Sequence, residues 1–176
     1  NWDFALQKPG ENWNGNYTGS IVVPSNWAVE GWEDPVYQGF KDNKASIGYY
    51  RCNFSLLSSF SGKRVMLHFD GVWNGAFPKL NGRELGAHLS GYTSFAYDVT
   101  DCVREGDNCL EVRVEQACRG YRFDVNDDWS LGGIFRDVWL ESMPLKRSIS
   151  VPTVTTDFDR NYRNAVLTVK TIVSDT

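Results

Sequence analysis

The densest group of polar side chains beside an aromatic ring in this sequence is Asp124, Asn126, Asp127 and Asp128, followed directly by Trp129. Carboxylate and amide oxygens accept hydrogen bonds from sugar hydroxyls or hold a hard cation, and an indole offers an apolar surface on which a pyranose ring can stack. The same residues also suit a solvated loop whose carboxylates cap turns, so both readings stand at this level. A glycosidase built from this segment alone is excluded. One loop cannot hold two carboxyl groups on either side of a glycosidic bond at the roughly 5–10 Å separation that hydrolysis requires.

Other chemistry-bearing residues are sparse. His68 falls within a strand pattern, His88 lies near a Gly-rich turn, and no G-x-S-x-G elbow accompanies them, so both histidines are expected to be hydrogen-bonded without a catalytic role. Gly71, Gly75 and Gly82 lie between strands and precede no helix, which excludes a phosphate-cradling loop. Arg136 shares a period-two face with Ile134, Val138 and Leu140. It is expected to point inward and to need a carboxylate, with Asp70 as one candidate.

The elements that must position these residues read as strands. Val65, Leu67 and Phe69 alternate with Arg64, Met66 and His68. Tyr50, Cys52 and Phe54 alternate with Arg51, Asn53 and Ser55, and Leu110, Val112 and Val114 alternate with Glu111, Arg113 and Glu115. No window holds the spacing of a long amphipathic helix. Asn81-Gly82 predicts a two-residue hairpin, and Pro78 moves its first arm towards an edge or a bulge. About eight short strands at this spacing predict an all-β, two-sheet sandwich or jelly roll. Residues 1–47, with Trp2, Trp13, Trp27 and Trp32 among Gly, Pro and Asn, are expected to be long loops packed on the sandwich through their indoles. A compositional break at Met143–Arg147 divides residues 1–145 from 146–176. In the second part, Ile149–Val154 and Ala165–Val173 read as two strands around the polar loop 157–161.

Composition narrows the functional classes. Eighteen Lys and Arg against 22 Asp and Glu give a net charge of -4 with no basic run, which excludes a phosphate-tracking nucleic-acid surface. No stretch approaches the ~20 apolar residues of a membrane-spanning helix. Cys52, Cys102, Cys109 and Cys118 show no C-x-x-C spacing, and with only two histidines a structural zinc set is not expected; the cysteines are expected to be thiols. The chain opens on Asn1 with no charged-then-apolar leader, and no compartment is read from it.

Taken in order, Pro24-Ser25-Asn26-Trp27, Gly31-Trp32-Glu33-Asp34-Pro35-Val36-Tyr37 and Gly48-Tyr49-Tyr50-Arg51 resemble the opening of glycoside hydrolase family 2 enzymes. Phe69-Asp70-Gly71-Val72, Asn81-Gly82, Gly91-Tyr92-Thr93, Asp98-Val99-Thr100, Gly106-Asp107-Asn108 and Gly133-Ile134-Phe135-Arg136-Asp137-Val138 extend the resemblance over nearly all of residues 20–145. The nearest likeness is to the large bacterial β-galactosidases. It implies a galactose-binding-like jelly roll at residues 1–145, the N-terminal sugar-binding domain of a retaining exo-acting β-glycosidase, with 146–176 opening an immunoglobulin-like domain. The resemblance places both catalytic glutamates in a later (β/α)8 barrel, so no catalytic residue is expected here and the chain alone is expected to be inactive.

By the same resemblance, Asp127, two residues before Trp129, takes the place of an aspartate that contacts galactose and a sodium ion; magnesium is a further cofactor of the parent class. An asparagine directly after Asp-Gly-Val meets the sugar in those enzymes. Here Trp73 follows Val72 and Asn74 comes one later, so either Asn74, through a one-residue bulge, or Trp73, as a stacking surface, takes the second contact. The implied partners are a β-galactoside or related β-glycoside, the remaining domains of the parent chain and, in an oligomeric parent, further copies. The implied setting is a bacterial cytoplasm or periplasm. A free-standing carbohydrate-binding module and a structural interaction domain remain as alternatives.

Overall fold

The computed structural model describes residues 1–35, 45–119, 129, 131–149 and 151–175. The larger sheet contains β1 (Trp2–Gln7), β2 (Gly19–Ile21), β3 (Ile47–Leu56), β5 (Gly75–Leu80), β6 (Arg83–Glu84), β7 (His88–Leu89) and β9 (Gly106–Glu115). Its strand order is β2-β1-β3-β9-β5-β6, with β7 also pairing β5. A smaller antiparallel sheet follows the order β10 (Val138–Pro144), β4 (Lys63–Phe69), β8 (Phe95–Asp98). The inner faces alternate as the sequence pattern requires. Phe4, Tyr50, Leu110, Val112 and Val114 from one sheet and Val65, Leu67 and Phe69 from the other form a single buried cluster. Each fully buried side chain of this size contributes roughly 1.5–3 kcal/mol, which makes this cluster the main source of stability.

The Asn81-Gly82 hairpin is present. Both residues have positive φ, 51° and 83°, and the register Leu80↔Arg83 closes a two-residue loop. Asn81 Nδ2 donates to the Cys102 carbonyl at 2.8 Å while its Oδ1 accepts from the Cys109 amide at 2.9 Å, which fixes the turn against the adjacent strand. Pro78 has no amide to donate, and the ladder on that side of β5 is broken accordingly. β6 pairs with Lys79 and Leu80 and β7 with Gly75 and Ala76; between them the Leu85 amide still donates to Pro78 O at 3.0 Å, but Pro78 can return no bond.

Several expectations are corrected. Residues 1–47 are not loops throughout, because β1 and β2 lie within them; Trp2, Phe4 and Leu6 carry a period-two signal that the surrounding Gly, Pro and Asn mask. Among the described residues after 145 there are four short strands instead of two. β11 (Arg147–Ile149) pairs β14 (Val173–Asp175), and β12 (Thr153–Phe158) pairs β13 (Ala165–Lys170), with Pro152 separating the first pair of elements. Asp157 and Phe158 belong to β12, and the turn begins at Asp159, whose Oδ1 accepts from the amides of Asn161 and Arg163, each at 3.0 Å. Arg136 is exposed rather than inward. It lies in a bend before β10 begins at Val138, so the period-two face does not extend to it. Its guanidinium makes long contacts of 3.4 and 3.5 Å to the carbonyls of Asp70 and Tyr92, and the Asp70 carboxylate instead accepts from Trp139 Nε1 at 3.2 Å. None of the four cysteines forms a disulfide.

Trp27, fully buried, joins the front segment to the larger sheet and to the 132–134 segment. Its amide donates to the Gly132 carbonyl at 3.0 Å, and its indole N–H donates to Glu33, whose other oxygen accepts from Ser46 Oγ at 2.6 Å. The ring occupies the space where a Cβ at Gly48 or Gly132 would stand. Substitution Gly132→Ala is therefore expected to lower stability by about 3 kcal/mol, read as a reduced midpoint in urea unfolding. A pH effect is expected at Asp98. Hydrogen bonds from Thr100, then the Arg64 guanidinium at 2.7 Å, hold its carboxyl below the usual carboxylate range. A lowered native pKa gives stabilisation that is present above ~3.9 and is lost as pH falls through the native value. Acid titration of stability is thus expected to be shallower in Asp98→Asn than in the wild type.

Candidate functional site

At one end of the sandwich three backbone segments are clipped together. The Ser25 amide donates to Ile134 O at 2.9 Å, Trp27 pairs with Gly132, and Asn26 Nδ2 donates to Leu131 O at 2.7 Å. On the other side of the same segment Trp73 and Gly133 exchange both backbone hydrogen bonds, at 2.9 and 3.1 Å. Gly133 has φ +144°, and a Cβ there would stand 2.6 Å from Ser25 O, so only glycine allows residues 25, 73 and 133 to lie this close.

The clip supports a small aromatic cup of about 190 Å3, lined by Asn26, Trp73, Tyr92, Trp129, Leu131 and Phe135. Trp73 forms the floor and is almost completely buried, whereas Tyr92 and Trp129 are 45% and 49% exposed at the mouth. The Trp73 and Tyr92 ring centroids are 5.0 Å apart and tilted by 59°, and Tyr92 meets Phe135 edge-on at 6.4 Å. Arg136, through the Tyr92 carbonyl and the Phe135 ring, 5.1 Å from its guanidinium carbon, ties the same two residues together. Rings at the wall and mouth with an amide beside them suit a ligand that has an apolar face and hydroxyl edges.

The candidate residues from the sequence fall in three different places. Trp73 lines the cup. Asn74, joined to it by a cis peptide bond, is fully buried behind it. The Asn74 amide donates to Glu115 O at 3.1 Å, and its Oδ1 accepts from the Cys118 thiol at 2.6 Å. Asp127 lies outside the described residues, as do Asp124, Asn126 and Asp128, while Trp129 beside them is described and reaches the cup. Among the described residues no group of three or more His, Cys, Asp or Glu is gathered as a metal set. His68 and His88 are hydrogen-bonded as expected. His68 Nε2 is 3.0 Å from Glu141 and its ring stacks on Trp139 at 3.9 Å; His88 Nε2 is 3.0 Å from Thr93 Oγ1 and its ring stacks on Phe95 at 3.9 Å. Asn26, Tyr92 and Phe135 were not candidates from the sequence. The one signal pointing to them is that the glycines at 91 and 133 allow close backbone approach on either side of Trp73.

A two-sheet sandwich whose loops gather rings and an amide into a cup at one end is a scaffold in which loops on a rigid β framework can carry a binding site. The chain belongs to the glycosyl hydrolases family 2 sugar binding domain family, whose model matches residues 1–144. It is 35% identical over 166 residues to a β-galactosidase of Psychromonas ingrahamii, covering 88% of this chain and 16% of that protein. It is 33% identical over 165 residues to a β-galactosidase of Alteromonas mediterranea, again covering 16% of that protein. The chain thus spans about a sixth of the length of these relatives. Among solved structures, a β-glycosidase from Bacteroides vulgatus superposes with a TM-score of 0.71 at 25% identity, over 99% of this chain and 23% of that one. A β-glucuronidase of Bifidobacterium dentium gives a TM-score of 0.75 at 19% identity, over 99% of this chain and 35% of that one, and is a likeness of fold alone.

The cup yields its own prediction. A Cβ at Gly91 would overlap the six-membered ring of the Trp73 indole. Gly91→Ala is expected to displace that ring, shifting its indole N–H resonance and costing about 1–3 kcal/mol in denaturant unfolding. An unshifted Trp73 signal would show that the floor of the cup does not depend on this contact.

Proposed function

We propose that this chain is the non-catalytic N-terminal domain of a retaining, exo-acting β-glycosidase whose substrates are β-galactosides, and that the aromatic cup forms part of the rim of a pocket completed by other domains. The observation that carries the reading is the cup itself, with Trp73 as floor and with Tyr92 and Trp129, the latter two positions after Asp127 in sequence, at the mouth. A cup of about 190 Å3 is smaller than the ~300–1,000 Å3 of a self-sufficient ligand pocket, which fits one wall of a shared site. In this reading Asp127 accepts hydrogen bonds from the sugar hydroxyls and shares a sodium ion with groups elsewhere in the parent enzyme, where magnesium is a further cofactor. Trp73 gives the apolar contact. Asn74, with its oxygen held by the Cys118 thiol, supports the floor from behind. The β-galactoside class is supported by the names of relatives at 33% and 35% identity.

Residues 146–176 are read as the opening of an immunoglobulin-like second domain. Val151 and Tyr162 are 91% and 80% exposed there, and Ile149, Leu167 and Val173 are exposed as well, an apolar load that suits strands made to pack against further parts of the parent chain and disfavours a free-standing module. The catalytic carboxylates belong to those further parts.

The full-length protein, assayed on nitrophenyl β-galactoside, β-glucuronide and β-mannoside, is expected to prefer the galactoside. The Asp127→Ala variant is expected to lose about tenfold or more in kcat/KM, a transition-state loss of ~1.4 kcal/mol, while the 176-residue chain alone turns over none of the three. Preference for another glycoside would contradict the substrate, and an unchanged Asp127→Ala would contradict the residue.

A further inference from the structure

The outer face of the larger sheet carries a groove of about 380 Å3 that shares no lining residue with the aromatic cup. Strand register builds its floor in two rows. Tyr49, Arg113 and Phe77 stand side by side across β3, β9 and β5, and next to them stand Arg51, Glu111 and Lys79. The second row alternates in charge from strand to strand, the arrangement that stabilises cross-strand neighbours. The first row interleaves rings with a cation: the Arg113 guanidinium sits 3.8 Å above the Phe77 ring and pairs with Glu115.

Two walls rise from this floor. One is the 8–18 segment, which lays the Trp13 indole flat on Tyr49, with centroids 3.8 Å apart at 15°, and places the Tyr17 ring under the Arg51 guanidinium at 4.2 Å. That wall is held in place by its own hydrogen bonds. Trp13 Nε1 donates to Asn16 O at 3.1 Å and the Lys8 amide donates to Glu11 Oε2 at 2.9 Å, while at its foot Tyr49 Oη of the floor donates to Gln7 Oε1 of β1 at 2.8 Å. The opposite wall is the bulge between β6 and β7, with Glu84, Gly86 and Ala87.

Three features select the class of occupant. Lys79 and Arg113 balance Glu84 and Glu111, so the lining has no net charge and favours a neutral ligand. Donors and acceptors alternate at the spacing of neighbouring strands, and rings lie beside them, which matches a molecule with hydroxyl edges and apolar C–H faces. Finally, β9 is paired on both sides, by β3 and β5, so its backbone offers no open ladder to an added peptide strand and recognition must come from side chains. We propose that this groove is a carbohydrate-binding site for a neutral oligosaccharide, taking two linked pyranose units between Trp13 and the Glu84 bulge. The walls are fixed by stacking and hydrogen bonds before a ligand arrives, which keeps the ordering cost of binding low.

The test is a titration of the 15N-labelled 176-residue chain with lactose, cellobiose and maltose, followed by heteronuclear NMR. At least one sugar is expected to bind with a Kd of about 1 mM or tighter and to shift the amides of Tyr49, Phe77 and Glu111 together with the Trp13 indole N–H. Trp13→Ala is expected to weaken that binding about tenfold. Glu84→Ala, a change at an exposed position that leaves the sheet intact, is expected to weaken it about threefold. Asp127→Ala is expected to leave it unchanged, which separates this site from the proposed rim. No shift in the groove with any of the three sugars at ~10 mM, shifts confined to Trp73, Tyr92 and Trp129, or binding that survives both Trp13→Ala and Glu84→Ala would each overturn the proposal.

Discussion

The structure depends on the burial of one indole. Trp27 has no β-strand of its own, yet its backbone is hydrogen-bonded to Gly132, its ring lies against Gly48 of β3, and its N–H is held by Glu33, which is itself held by Ser46. A ring of this size reaches the center of the sandwich end only because its neighbours at 48 and 132 have no side chain. The geometric demand therefore passes to the adjoining residues. Once Gly132 lies under Trp27, Ile134 O meets the Ser25 amide, and Gly133 is placed to exchange hydrogen bonds with Trp73. The floor of the aromatic cup is in this way a consequence of how the front segment is anchored.

Ionic groups are distributed differently from the apolar ones. The arginine–carboxylate salt bridges Arg51 with Asp3, Arg64 with Asp98 and Arg113 with Glu115 stand at or near the surface, where each contributes little to stability. Their value is positional. Arg51 and Arg113 also lie over the Tyr17 and Phe77 rings, so carboxylate, guanidinium and aromatic ring hold one another in a single orientation on the outer face of the larger sheet. Burial, followed by the Glu111 carboxylate, pushes the Tyr17 hydroxyl up to about 12.

Strand alternation was the most readable part of the sequence. β3, β4 and β9 follow their period-two patterns residue by residue, and Asn81-Gly82 marks its hairpin, because both signals are local. The errors arise where a distant partner decides. Arg136 continues an alternating face in sequence, but a bend ahead of Val138 turns it outward over Phe135. β1 was obscured because its Trp2, Phe4 and Leu6 pattern sits in a segment rich in residues typical of loops. Trp129 was recognisable from the polar residues before it and Trp73 from the family resemblance, whereas Asn26, Tyr92 and Phe135 come from three segments that are each more than 40 residues apart and meet only in the folded cup. No spacing rule could have joined them.

The most direct measurement of this account is native-state hydrogen exchange at the amides of Ser25, Trp27, Trp73 and Gly133, in the wild type and in Trp27→Leu. If the buried indole holds the clip together, the four amides exchange through a shared opening in the wild type. In the variant they lose protection together, and by more than the amides of the β3–β9 ladder do. If Trp73 and Gly133 keep their protection when Trp27 is replaced, the cup is organised independently of the front segment and the central claim is contradicted.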